Sequence, residues 1–498
     1  MSNEKLKLKY LEIDAGRQPD IFLLRNSNIV KSEGFAALDR IKIFNKDKVA
    51  YATLFLVDDE MILAKDEVGV SKKILNTLKA HDGELFELEH MGPLASFDVI
   101  RQKLRGARFT EEGIYSVIKD VVDGKYTDMH MACLCSATEG TQLNDDEIAY
   151  FAKAMVKTGQ TIKWNKDIVV DKHCIGGVPG NRTTPTSIAV VAEYGMFIPK
   201  TSSRAITSPS GTADTMEVLT NVDIPSKDMK AIVEKVNGCL VWGGGVDLNP
   251  SDDIIINVKK DLNLDSKGQM LASILSKKAA AGSTHVLIDI PYGTTAKVKT
   301  LEDAQSMKKD FETLGSKLGM HVYVNISDGS QPVGNGVGPA LEAQDVVDVL
   351  QNKPNAPQDL KEKTIKLSGL IIEFDPKVKK GDGEKIAREI LESGRAWARF
   401  EKICEAQGGL RKIPVAKYTQ DILATKSGEI VEFDNKKLAN MAKLAGCPAR
   451  KASGLYLYKH LGDKVVKGEK LFTLHAESQG ELELAAKFAE EHEIIKIK

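Results

Sequence analysis

Short apolar runs such as Ile21-Phe22-Leu23-Leu24 and Ala52-Thr53-Leu54-Phe55-Leu56-Val57 alternate with turn residues through 1–90, and this pattern predicts a small β-rich domain. From about residue 92 the period becomes helical. Thr110 stands where it can cap a helix from Glu111 to Val122, and Asn144 with Glu147 reads as a capping box, so 91–165 is a predicted helical lobe. Strand-like and helical stretches then alternate, which predicts a central α/β lobe over 166–410. The glycine-rich segment 334–338 marks a hinge or turn with no catalytic role. Beyond 411, Gly462 and Gly468 flank Val465-Val466 in a hairpin pattern within a last domain, 411–498.

Two loops inside the α/β stretch carry the chemistry. The first follows the β-branched run Ile168-Val169-Val170 and opens into a segment where Ile188, Val191 and Ala192 recur at helical spacing. Gly176, Gly177 and Gly180 permit a tight turn and close approach to a ligand, while Thr184 can cap the helix and Pro185 fits its first turn. Free amides at that helix start would face an anion, with Lys172 and His173 adding charge and donors. The run lacks the Gly-Lys-Ser/Thr ending of a nucleoside triphosphate P-loop. A second loop follows Met196-Phe197-Ile198 and sets Ser202, Ser203, Thr207, Ser208, Ser210 and Thr212 around Arg204. Hydroxyls around a guanidinium fork suit a phosphate, although an exposed Ser/Thr-rich turn has the same composition. Two such loops in succession point to a substrate and a co-substrate that both carry phosphate.

A third segment begins at Asp265, which can cap a helix running to about Ala281 and closed by Gly282. Gln269, Ser273 and Lys277 recur every four residues and form one polar stripe, since each such step advances only about 40° around the helix. Met270, Ile274 and Ala281 fall on an opposite face expected to pack.

Composition narrows the class. The chain has 498 residues, 42% hydrophobic and 28% charged, ordinary for a globular protein of several domains. A formal net charge of -1 makes no electrostatic case for nucleic acid or membrane. No apolar run approaches spanning length, and the first ten residues lack a signal-peptide core, so a soluble cytoplasmic protein is expected. Six cysteines in this length do not make a disulfide framework, Cys133-x-Cys135 lacks zinc-site spacing, and no metal is expected.

The elements KHCIGGVPGN and SSRAITSPSGTAD resemble the two signature loops of the thymidine and pyrimidine-nucleoside phosphorylases, which commonly read Lys-His-Ser-x-Gly-Gly-Val and Ser-Gly-Arg-Gly-x-x-x-x-Gly-Gly-Thr-x-Asp. The resemblance runs from about Met91 to the C-terminus and includes DSKGQMLASILSKKAAAG and GDKVVKGEKLFTLHAES. It is closest to the AMP phosphorylase branch, which shares the first ninety residues as an extension. It implies a nucleoside phosphorylase/phosphoribosyltransferase-like α/β fold with a small helical lobe, completed by about 250–282, a central α/β lobe, a C-terminal α+β domain and the N-terminal β-rich extension.

The implied reaction is phosphorolysis of nucleoside 5′-monophosphates, AMP and phosphate giving adenine and ribose 1,5-bisphosphate, with CMP and UMP as further substrates. Asp265 would be the proton donor and His173 a second catalytic residue. Nucleotide contacts would come from Gly177, Ser203, Arg204, Ala205, Ile206, Thr207, Ser208, Thr212, Ser273, Lys277 and Lys297, and phosphate contacts from Lys172, Thr184 and Ser202. Cys174 replaces the usual serine and offers only a weak thiol. Three departures favour a nucleotide over a nucleoside. The arginine that holds the pyrimidine in the bacterial enzymes falls at Val258 or Lys259 here, the second loop trades glycines for hydroxyls, and Lys297 adds a cation. The alternatives are a pyrimidine-nucleoside phosphorylase yielding (deoxy)ribose 1-phosphate and a catalytically silent nucleotide-binding protein. Small-molecule substrates, no cofactor beyond co-substrate phosphate, and a homo-oligomer, dimer or larger, complete the implied picture.

Overall fold

The computed structural model describes residues 4–13, 19–139, 143–205, 208–246, 248–262, 264 and 266–498. Two compact units divide the chain: Met1–Thr158 with Asn249–Ser273, and Gly159–Leu248 with Ile274–Lys498.

In the first unit the alternation of the N-terminal segment closes into a six-stranded barrel. Its order is Leu6–Tyr10, Glu67–Val70, Asp20–Leu24, Lys48–Val57, Arg40–Asn45, Leu85–His90. Leu6–Tyr10 runs parallel to Glu67–Val70, and Asp20–Leu24 parallel to Lys48–Val57, while the other pairings are antiparallel. Every second residue points inward, so Leu6, Leu8, Ile21, Leu23, Ile41, Ile43, Phe86 and Leu88 fill the interior. Helices Asn28–Glu33, Lys72–Leu78, Ala95–Leu104, Glu111–Val122, Asp128–Glu139, Asp145–Thr158, Pro250–Leu262 and the start of Lys267–Ala280 complete the unit. Thr110 caps as its position predicts, accepting from the Gly113 amide at 3.1 Å. Asn144 and Glu147 form the reciprocal box, with bonds of 2.9 and 3.0 Å. Arg40 ties the barrel to the helices by donating to the Gly124 carbonyl at 2.7 Å.

The second unit is built on parallel strands. Val170–Cys174, His285–Tyr292 and His321–Asp328 form one sheet with His285–Tyr292 in the middle. Ile198–Ser202 pairs in parallel with Gly238–Trp242, and a bridge between Val169 and Phe197 connects the two sheets. Helix Thr183–Tyr194 makes the crossover from Val170–Cys174 to Ile198–Ser202 and is buried through its first ten residues against helices Gln358–Ile372, Gly383–Glu392 and Arg395–Ala406.

The C-terminal α+β part carries a four-stranded sheet, in the order Gly336–Val337, Gly454–Leu457, Lys470–Ala476, Tyr418–Leu423, and a second sheet of Lys464–Val465, Gly428–Phe433 and Ile495–Ile497. Two expectations are corrected here. The glycines around Val465-Val466 do not close a hairpin, because Lys464–Val465 pairs with Gly428–Phe433 while Lys470–Ala476 pairs with two other strands. The 334–338 segment is more than a turn, since Gly336–Val337 adds an edge strand beside Leu455 and Tyr456. Both errors have one cause: the partner strands are distant in sequence, and local glycine spacing carries no information about them.

Candidate active site

Loop 1 leaves the strand Val170–Cys174, which holds Lys172 and His173 at its C-terminal end. Gly176 and Gly177 have φ of 127° and 50°, where a side chain would be strained. The helix begins at Thr183, its N-cap is Arg182, and the expected cap Thr184 sits at its second position. The amides of Ile175, Gly180, Asn181 and Thr183 are taken by backbone carbonyls, so the loop is more closed on itself than a bare row of free donors. Thr183 and Thr184 turn their hydroxyls to Lys172. Its fully buried ammonium donates to both Oγ1 atoms, at 3.1 Å for Thr184.

Beneath the loops lies a layer of charge that composition and motif did not reveal. Asp171, fully buried, holds Lys200 at 3.3 Å and Lys278 at 3.1 Å. Asp289, also fully buried, holds Lys363 at 3.2 Å and accepts from Asn325 at 2.7 Å. With Lys172, four lysines face two aspartates, an excess of two positive charges when all are ionised. Burial lowers the pKa of Lys172, and burial lowers that of Lys278 too despite Asp171 beside it. An anion at this place would relieve the excess. A signal was present in the sequence: each apolar run ends in polar residues, Val169-Val170 in DKHC, Ile198-Pro199 in KTS, Val286-Leu287-Ile288 in Asp289, and Val322-Tyr323-Val324 in Asn325. In parallel sheets those carboxyl ends are where ligands bind.

His173 is half-buried. Burial first, and then Lys278, Lys200, Lys172 and Lys277, push its ring well below the ordinary histidine value. Near neutral pH it is therefore uncharged, with one N–H donor and one acceptor nitrogen.

Loop 2 follows Ile198–Ser202 and closes on helix Thr212–Leu219, of which Thr212 is the first residue. Among the described residues, Arg204 bonds to carboxylates and not to the loop hydroxyls. Its guanidinium is forked onto Glu217 at 2.7 and 2.8 Å, lies 3.5 Å from Asp214, and rests on the Trp242 ring, 5.0 Å from the centroid. Carboxylates outcompete hydroxyls for a guanidinium because the bonds are charge-assisted at both ends. Asp214 fastens the loop base by accepting from the Ala205 and Gly211 amides at 2.6 and 3.0 Å. Ser208 donates to the Ser210 carbonyl at 2.8 Å, and Ser210 Oγ meets Thr215 Oγ1 at 2.9 Å. Ser203 is exposed, whereas Ser202 Oγ is buried without a hydrogen-bond partner among the described residues. Ile206 and Thr207 lie outside the described residues. The two loops touch: Asn181 Nδ2 donates to the Ser210 carbonyl at 3.1 Å.

Lys297 is exposed, and its Cβ would stand 3.2 Å from a Cβ added at Gly176, which puts it beside loop 1. Ser273 and Lys277, both half-buried, lie on the helix Lys267–Ala280, Ser273 in the first unit and Lys277 in the second. Asp265 lies outside the described residues. The residue preceding the helix is Ser266, whose Oγ accepts from the Gln269 amide at 3.4 Å. Gln269 turns inward onto Thr138, and the buried apolar stripe is Leu271, Ala272 and Leu275, while Met270 and Ile274 are half-exposed. Ala281 is buried as the pattern predicts, whereas Gln269, whose Nε2 donates to Thr138 and whose Oε1 is buried without a partner among the described residues, takes a place in the core that its polarity argued against. Among the described residues no group of three or more His, Cys, Asp or Glu could hold a metal ion, and no helix is long and apolar enough to cross a membrane.

Sequence comparison finds three family matches. Residues 97–159 match the helical bundle domain of a glycosyl transferase family, 166–397 match that family's a/b domain, and 430–496 match the pyrimidine nucleoside phosphorylase C-terminal domain. A putative thymidine phosphorylase of Legionella pneumophila is 45% identical over 480 residues, covering 96% of this chain and 93% of that protein. One from a Polaromonas species is 44% identical over 489 residues, covering 98% and 96%. Among solved structures, anthranilate phosphoribosyltransferase from Thermus thermophilus superposes with a TM-score of 0.52 at 19% identity, over 62% of this chain and 99% of that one. The Saccharomyces cerevisiae anthranilate phosphoribosyltransferase gives 0.50 at 14% identity, over 64% and 99%.

Proposed function

The chain belongs to the thymidine phosphorylase family, and on that premise we propose that it cleaves nucleoside 5′-monophosphates with inorganic phosphate, AMP giving adenine and ribose 1,5-bisphosphate, with CMP and UMP as further substrates. The supporting observation is Lys297, an exposed cation beside Gly176 of loop 1, which adds a positive charge that a 5′-phosphate would use and an uncharged nucleoside would not.

In this reading inorganic phosphate is held by Lys172, Thr184, Ser202 and the neutral ring of His173, over the buried lysine excess. A phosphate oxygen forms the new bond to the anomeric carbon while the bond from that carbon to the base nitrogen breaks, its electron pair leaving with the base. The sugar gains oxocarbenium character, which the phosphate dianion stabilises. The departing base takes a proton from the Asp265 carboxyl, which must stay protonated near neutral pH. Loop 2, through Ser203 to Ser208 and Thr212, takes the 5′-phosphate with Gly177 and Lys297, and Ser273 and Lys277 face the nucleotide. The enzyme works in the cytoplasm as a homo-oligomer, dimer or larger, without an organic cofactor or metal.

One observation favours a second reading. The Arg204 fork is occupied by Glu217, which leaves that guanidinium committed without any substrate phosphate, as suits a pyrimidine-nucleoside phosphorylase releasing (deoxy)ribose 1-phosphate. The relatives named putative thymidine phosphorylase point the same way. Phosphate-dependent release of free base decides between them, with AMP, CMP and UMP set against adenosine, thymidine and uridine. The nucleotide reading expects turnover of monophosphates at least a hundredfold faster than nucleosides, abolished in Asp265→Asn. Preference for thymidine or uridine would replace it with the second.

A further inference from the structure

Loop 1 ends and the loop 2 helix begins on the same buried carboxylate. Glu342, on helix Pro339–Leu350, is fully buried. Its Oε1 accepts from Asn181 Nδ2 at 3.4 Å and from the Gly338 amide at 3.3 Å, and faces Arg182 Nη2 at 3.3 Å. Its Oε2 accepts from Thr215 Oγ1 at 3.3 Å. Asn181 and Arg182 are the last two residues of loop 1, and Thr215 lies in the first turn of the helix that closes loop 2. Asn181 also reaches the Ser210 carbonyl, so a single side chain of loop 1 bonds both to Glu342 and to loop 2.

The surroundings over-determine this arrangement. Arg182 is buried with φ of 58°, a left-handed conformation that an L-residue keeps only when its neighbours hold it there. It donates to the Val333 carbonyl, and a Cβ at Gly334, whose φ is 79°, would stand 3.1 Å from Arg182 Cδ and 2.6 Å from Asp345 Oδ2. Asp345 in turn accepts from the Asn335 and Gly336 amides, both at 2.8 Å. Burial pushes the Asp345 carboxyl up to about 7 and raises that of Glu342 as well. One guanidinium among two carboxyls thus needs only one of them ionised, and Glu342 is the one in ion-pair contact with it.

We propose that Glu342 is a positioning residue that fixes the two anion-binding loops in register with one another, so that the phosphate and its co-substrate are bound as a pair at the spacing the reaction needs. It acts through Asn181, Arg182 and Thr215. The proposal rests on the reading of both loops as substrate sites and adds the element that couples them.

Glu342→Gln keeps the shape but removes the charge facing Arg182 and one of the two acceptor oxygens. The Michaelis constants for phosphate and for the nucleotide or nucleoside should each rise at least fivefold, with kcat changed less than threefold and the unfolding temperature of the unliganded protein within a few degrees of wild type. Asn181→Ala, which cuts the link between loops and leaves the Arg182–Glu342 pair, should raise both constants in the same proportion, and the double variant should be no worse than the worse single one. A rise in only one constant, additive effects, or lost stability with wild-type constants would overturn the proposal. Should Glu342→Gln fail to fold, Asn181→Ala alone decides. The kinetics are run on whichever of AMP or thymidine is turned over, so failure of the nucleotide reading leaves this test intact. If inorganic phosphate does not raise the unfolding temperature even of the wild type, the loops are not anion sites and both readings fall.

Discussion

Gly180 has no room for one more carbon. A Cβ there would overlap Cys174 Sγ and stand 3.5 Å from the Gly176 carbonyl oxygen. The sulfur is itself committed, pointing at the Asp289 carboxylate 3.8 Å away, and burial pushes its thiol up to about 11. It is an uncharged packing atom rather than a nucleophile. Gly180→Ala should cost about 2 kcal/mol by overpacking, read from urea unfolding, and Cys174→Ala in the same chain should recover at least half, because it removes the obstructing atom. Additive losses in the double variant would mean that the sulfur is not what excludes the side chain. Gly176 and Gly177 could be recognised as turn glycines from their spacing, since their positive φ is a local property. The demand at Gly180 could not, because it depends on where the fold sends the Cys174 side chain.

Helix ends show the same division between local and non-local information. Thr110 and the Asn144–Glu147 pair were legible, because a cap depends on residues within one turn. The sequence said nothing of the second role of Glu147, which is buried, pairs with Lys103, and takes Arg108 at 2.9 Å and the Phe109 amide at 2.9 Å. Thr184 has the residue type and place of a cap but does not cap, since Arg182 takes that position in a left-handed conformation that only its distant partners explain. Substitution should separate the two kinds of residue. Thr110→Ala removes one capping bond and should cost about 1 kcal/mol, whereas Glu147→Ala strands a buried ammonium and should cost about 3 kcal/mol or more. Denaturant unfolding checks both, and equal losses would show that the buried pair contributes no more than a cap.

At the scale of the whole molecule, the strand-rich start, the helical stretch and the α/β alternation were all visible as changes of period. The pairing partners were not, and neither was the way the C-terminal part reaches into the site. Lys451 places Nζ 2.7 Å from Glu217 and 3.5 Å from Asp214, so the carboxylate that holds the Arg204 fork is also held by a residue 234 positions further along the chain. The Arg204 hydrogen bonds, followed by those of Lys451, bring the Glu217 carboxyl down from 4.5 to about 2. A carboxyl depressed in the folded state binds fewer protons there than in the unfolded chain between those two values, so its contribution is complete above about pH 4.5 and fades as pH falls toward 2. Glu217→Gln should therefore be less stable than wild type by about 2 kcal/mol at pH 7, and the gap should narrow steadily below about pH 5, where the unfolded wild-type carboxyl begins to take up a proton. Urea unfolding of both proteins at intervals from pH 7 to pH 4 measures this. A gap that stays constant over that range would mean that the Arg204–Glu217–Lys451 cluster holds loop 2 by shape alone, and that its charge does not stabilise the fold.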